Sequence, residues 1–153
     1  MLTLDKGKEA LFEEYSEEIL SHEDYEKLKG FMAHGKITLY THCVNVARLS
    51  LKMSRNRSID EKALVRGALL HDFYLYDWHD ARIDEPLFKM HGFTHPFAAC
   101  ERAKERFKLS EKEQNIIESH MWPLTLFTFP RSREAWIVCM ADKIVATGET
   151  FKR

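Results

Sequence analysis

The alternation of apolar and polar positions along this chain is that of helices. From about Leu2 to Leu20, the residues Leu11, Phe12, Tyr15 and Ile19 recur at three- and four-residue spacings, the stripe of an amphipathic helix. Ser21 or His22, with Asp24, starts a short second helix that Gly30 weakens. Leu39 to Met53 places Leu39, Cys43, Val46, Ala47 and Leu49 on one broad face. Asp60 reads as the N-cap of a helix over Glu61 to His71, because its carboxylate can accept orphan N–H groups of the first turn. Tyr74 to Thr94 shows no period, contains Pro86 and Gly92, and is predicted to be the longest loop. Pro96 suits the first turn of a helix running to Phe107. Ser110 followed by Glu113 is a capping-box pattern for the next helix, which Pro123 ends. Glu134 to Thr147 predicts the last helix, with Gly148 near its C-cap. No internal repeat and no low-complexity linker interrupts the series, so the expected fold is one all-α domain of about six or seven helices.

Composition narrows the partners. Lysine and arginine number 23 against 24 acidic side chains, a formal net charge of −1. That balance argues against broad nucleic-acid binding, which needs a positively charged face to release counterions. The longest apolar run, Ala135 to Ala141, is far too short to cross a bilayer, and no secretory apolar stretch follows Met1. The three cysteines, Cys43, Cys100 and Cys139, lie singly in apolar surroundings, as reduced core thiols of a cytoplasmic protein would. Eight histidines stand out, since histidine is both the commonest metal ligand and the proton carrier of neutral pH.

Several polar residues fall where the pattern demands apolar ones. Asp142 follows seven successive apolar residues and lies one turn after Val138 on a helix that is apolar around its whole girth. An unpaired buried carboxylate costs several kcal/mol or more, so it needs a cation or a set of donors. His71 and Asp72 end another helix whose residues Ala63, Leu64, Val65, Ala68, Leu69 and Leu70 are apolar on most sides. His42 is flanked by Cys43 and Val46, His95 precedes Pro96, and His120 follows Ile116 and Ile117. Any one of these alone is more often a satisfied core residue than a ligand. Six imidazole or carboxylate groups on the inner faces or ends of separate buried helices are hard to explain as independent accidents.

In this order, His42, His71-Asp72, His95, His120 and Asp142 resemble the HD-domain superfamily of metal-dependent phosphohydrolases. The resemblance covers about Tyr40 to Thr147, giving a metal-binding helical core over 36–150 and an N-terminal helical extension over 1–35. It implies a helical bundle with the site between its helices. The Ala141-Asp142-Lys143 context also matches the family's final helix. By the same resemblance, one divalent metal belongs to His42, His71, Asp72 and Asp142, and a second to His95 and His120, with Asp72 bridging. Imidazole with carboxylate suits Fe, Mn, Zn, Ni, Co or Mg, and spacing alone does not choose. His91 competes with His95, and the Pro-Phe-Ala-Ala after His95 favours the latter as the family's helix start.

The implied activity is hydrolysis of a nucleotide or other phosphate mono- or diester by metal-activated water, with Asp72 and Lys143 as catalytic residues. Lys143, Arg82 and His91 are the candidates for binding a small phosphorylated substrate. Tyr76, Trp78 and Lys89 lie in the same loop. Several HD groups carry a charged residue three positions after the paired aspartate; Leu75 stands there, and the Gly-Tyr-Pro motif of cyclic-di-GMP phosphodiesterases is missing. Two alternatives belong to other classes: an HD-type di-iron oxygenase, and a non-catalytic metal- or ligand-binding module. His22, His34 and His79 read as ordinary surface or loop residues.

Overall fold

The structure, a computed structural model, describes the backbone of residues 2–55, 58–74 and 85–152, and their side chains except over 85–93. Among these residues are seven α-helices: α1 (Lys6–Leu20), α2 (Glu23–Glu26), α3 (Leu39–Met53), α4 (Glu61–Leu70), α5 (Glu85–Arg106), α6 (Glu111–Ser119) and α7 (Arg133–Phe151). A 3-10 turn, Lys27–Gly30, follows α2. Two short strands, β1 (Met32–His34) and β2 (Ile37–Thr38), pair antiparallel. The all-α class expected from the pattern is the observed one.

Local chemistry sets the helix starts. Asp60 Oδ1 accepts from Ala63 N at 3.0 Å and Ser110 Oγ from Glu113 N at 3.1 Å, as their positions predict. Asp5 does the same for α1 and Ser132 for α7. Three expectations need correction. The Tyr74–Thr94 loop is helical from Glu85 onward, because Pro86 takes the first-turn position and α5 continues through Pro96 instead of starting there. Residues 75–84 lie outside the described residues. The last helix does not stop at Thr147: Gly148 is helical and α7 winds on to Phe151, despite the roughly 1 kcal/mol that glycine costs relative to alanine. The hairpin was not foreseen, since strands of three and two residues are too short to show a period. Gly35, at φ 58°, supplies the left-handed residue its turn requires.

α4 runs through the middle of the core, and every residue from Ala63 to Leu70 on it is buried. It packs against α1, α3, α6 and α7. Arg66 is buried with them, its guanidinium bonded to Glu18 at 2.6 Å, Glu113 at 3.2 Å and the Lys108 carbonyl at 3.1 Å. Glu113 therefore reaches across to α4 while its carboxylate also meets the Ser110 backbone N–H of its own capping box. One turn-mate of Arg66, Gly67, lets α6 approach closely: a Cβ there would stand 2.6 Å from Ile116 Cγ2 and 2.9 Å from Ile116 Cβ. Cys43, Cys100 and Cys139 are free thiols in the buried interior. No helix among the described residues is long and apolar enough to cross a membrane.

Gly67→Ala sets two effects against each other. Helix propensity favours alanine by about 1 kcal/mol, while overpacking costs about 1–3 kcal/mol. Because Ile116 Cβ itself is in the way, the helices must separate and overpacking wins. The denaturation midpoint of Gly67→Ala should fall, and adding Ile116→Ala should recover part of the loss attributable to the clash. Additive losses in the double variant would refute the clash.

Candidate metal centre

Five elements deliver side chains to one buried point. His42 is the fourth residue of α3, His71 and Asp72 close α4, His95 is carried by α5, His120 closes α6, and Asp142 lies midway along α7. All six are buried. Each helix brings its ligand-type residue inward because its neighbours on that face are apolar core residues such as Cys43, Val46, Leu70, Ile117 and Val138.

Asp72 organises the geometry. Its Oδ2 faces His42 Nε2 at 3.7 Å and His71 Nε2 at 3.5 Å. Its Oδ1 faces His95 Nε2 at 3.1 Å and His120 Nε2 at 3.3 Å. Asp142 Oδ1 closes the first group, 2.9 Å from His42 Nε2 and 3.4 Å from His71 Nε2. His95 and His120 meet Nε2 to Nε2 at 3.0 Å. One carboxylate thus addresses two sets of imidazoles through separate oxygens.

The tautomers follow from the other ring nitrogens. His71 Nδ1 lies 2.6 Å from the Ala68 carbonyl and His120 Nδ1 lies 2.7 Å from the Ile117 carbonyl. A carbonyl only accepts, so each Nδ1 carries a proton, and in the neutral ring Nε2 holds the lone pair turned into the centre. His42 Nδ1 is 2.8 Å from Glu149 Oε2.

Burial pulls His42 toward the neutral form, but its bonds to Asp142 and Glu149 outweigh this and raise it to about 10. Burial likewise opposes charge on both aspartates, yet Asp72 and Asp142 are held well below the usual carboxylate range, with His71 acting on both. His120 is lowered, chiefly by burial. The cluster is a concentration of negative charge that draws positive charge to itself.

A divalent cation fits these residues. His71 Nε2 and Asp72 Oδ1 are buried without an aligned hydrogen-bond partner, close as their neighbours are. Crowded lone pairs that do not point at one another are what ligands around a shared ion present. Donors about 2.1 Å from one tetrahedral ion stand roughly 3.4 Å apart, and the contacts above bracket that spacing. His42, His71 and Asp142 form one group whose donor atoms lie within 4.8 Å of each other, and His71, Asp72 and His120 form another.

The remaining candidates fall elsewhere. Lys143 is an exposed residue whose ammonium donates to the His120 carbonyl at 3.1 Å and the Cys139 carbonyl at 3.4 Å, with Cys139 Sγ at 3.1 Å. It therefore sits at the rim of the cluster, bracing the backbone of His120. Arg82 and Leu75 lie outside the described residues, as do Tyr76, Trp78 and His79 and the side chains of Lys89 and His91. His22 caps α2 through Nδ1 and stacks edge-on against Phe107.

Two residues were missed. His34, read as a surface residue, is half-buried on β1 with its ring 5.2 Å from that of His42. Glu149 lies behind His42, and His34, His42 and Glu149 make a third compact group. The available signal was the spacing of seven from Asp142 to Glu149, two turns along one helix face. Reading Gly148 as a helix end concealed it.

The chain matches the HD domain model over residues 39–147, and belongs to the HD domain family. It matches no curated protein and no solved structure.

Elemental analysis of the purified protein tests the arrangement. Asp72→Ala, which removes the shared carboxylate, should lose its bound divalent metal. His120→Ala should keep the share held by His42, His71 and Asp142. Full metal occupancy in Asp72→Ala would refute the bridging role, and full occupancy in His120→Ala would return that histidine to the core.

Proposed function

We propose that this protein is a metal-dependent phosphohydrolase that holds two divalent cations and acts on a nucleotide or another small phosphate ester. The observation that carries the reading is Asp72, whose two oxygens face separate imidazole groups. In this reading His42, His71, Asp72 and Asp142 hold one cation, and Asp72, His95 and His120 hold the other. When bound, such cations acidify water and neutralise the charge that develops on phosphate oxygens.

The chain's own residues prepare that chemistry. The carboxylates alone would repel a phosphate; with two divalent cations the positive charge outweighs Asp72, Asp142 and Glu149 and the centre attracts it. The side chains of Asp72 and Asp142 retain 11% and 12% exposure, so the centre is reached from solvent while most of it stays dry. Ala68 and Ile117 lock two imidazoles in the ligating tautomer before any cation arrives. Lys143 steadies His120 from the rim and can offer its ammonium to a phosphate oxygen by leaving those carbonyls; Arg82 and His91 are the further candidates for phosphate binding. The near-neutral net charge agrees with a site whose positive charge comes from its cations and not from its surface.

A panel of phosphomonoesters, phosphodiesters and nucleotides, assayed on protein loaded separately with Mn, Fe, Zn, Co and Mg, tests the proposal. Phosphate or nucleotide product should appear, vanish on chelation and return with added metal. Asp142→Asn should lower kcat/KM by a hundredfold or more, roughly the loss of one strong electrostatic stabiliser. Hydrolysis that survives chelation would overturn the mechanism. Iron-specific oxygen consumption without hydrolysis would overturn it in favour of the di-iron oxygenase, and metal binding with neither activity in favour of a binding module.

A further inference from the structure

α7 holds one imidazole between two carboxylates. Asp142 lies 2.9 Å from His42 Nε2, and Glu149, two turns further along the same face, lies 2.8 Å from His42 Nδ1. His71 and His120 rest their Nδ1 atoms on neutral backbone carbonyls. His42 is the one of these three rings backed by a charge. Glu149 is only 6% exposed, and its Oε1 is buried without a hydrogen-bond partner. Burying a carboxylate costs several kcal/mol unless it is paired, so packing the end of α7 does not explain it; an apolar residue would serve that purpose better.

The geometry points to Glu149 as a positioning residue of the metal centre. It holds His42 in the Nδ1–H tautomer, aims the Nε2 lone pair at the space shared with Asp142 and Asp72, and makes the His42–His71–Asp142 group the tighter of the two cation sites. This rests on the two-cation reading above. Partners behind a ligating imidazole fix its orientation and strengthen it as a donor, and their loss typically costs about 10–100-fold in metal affinity.

The compact group of His34, His42 and Glu149 raises a rival: a third cation held directly among them. Chemistry favours the hydrogen bond. With Nε2 turned into the centre, His42 would have to surrender its last ring proton to bind a cation at Nδ1. The 2.8 Å contact also has the length of a charge-assisted hydrogen bond. His34, whose ring stands edge-on to that of His42, flanks the pair.

Titration of the metal-stripped protein with Co2+, followed by calorimetry and by the visible spectrum of the bound ion, tests the assignment. Wild type should bind two ions in resolvable steps. Glu149→Ala should weaken the tighter step by about 10–100-fold and leave the other within about threefold. The isosteric Glu149→Gln keeps an acceptor for Nδ1–H without the charge; it should fold like wild type and lose roughly tenfold or less on the same step, with a shifted cobalt spectrum. His34→Ala should change neither step. Unchanged tight binding and an unchanged spectrum in Glu149→Gln, or equal loss on both steps in folded Glu149→Ala, overturns the inference. So does a third Co2+ in wild type that disappears in both His34→Ala and Glu149→Ala. Wild-type protein that binds no Co2+ overturns the metal centre itself, whereas wild-type binding indifferent to Glu149 overturns only the positioning role.

Discussion

Everything in this structure is arranged around two carboxylates that water barely reaches. Asp72 and Asp142 sit where α4 and α7 are otherwise apolar, and a carboxylate in such a place is tolerated only beside compensating positive charge or hydrogen-bond donors. The four imidazoles around them can take either role, as proton carriers or as ligands that leave the positive charge to a cation. That requirement explains why five separate elements converge on one point. It also explains the rigidity behind it. Arg66 ties α4 to α1 and α6, and Gly67 lets α4 and α6 close until they touch. Ligand-type atoms a few ångströms apart are useful only if the helices carrying them do not drift.

The legible part of the sequence was the part where local chemistry and burial agreed. Asp60 and Ser110 cap helices as their types and spacing indicate, and His42, His71, Asp72, His95, His120 and Asp142 were conspicuous because each is polar within an apolar stretch. Three things were hidden. Pro96 looks like a helix start, yet α5 runs through it, forgoing the one backbone hydrogen bond that a proline cannot donate. Gly148 looks like a helix end, yet a glycine costs little enough that the buried contact of Glu149 with His42 can outweigh it. His34 lies in a short segment with no period, and the hairpin, closed by Gly35, brings it against His42. In the last two cases a contact between residues far apart in sequence outweighs the local signal.

Family membership and geometry carry different parts of the conclusion. The match over residues 39–147 gives the fold and its place among HD domains. It does not extend to Glu149 or to the hairpin bearing His34, which lie outside that span. The six residues of the centre fall within the matched span, while His34 and Glu149, the groups directly behind His42, lie in this chain's flanking segments.

His71 and His120 share one further circumstance: each is the residue that caps the C-terminal end of its helix. A helix end of that kind carries about half an elementary charge of negative sign, spread over its last carbonyls, several of which here accept from the side chains of Tyr25, His71, His120 and Lys143. α4 and α6 therefore turn their negative poles toward a cluster already anionic from Asp72 and Asp142. The backbone itself repels a free anion and welcomes a cation, whatever the side chains do. On the phosphohydrolase proposal an order of arrival follows from this electrostatics: positive ions enter first, and a phosphate finds an attractive field only after they are seated.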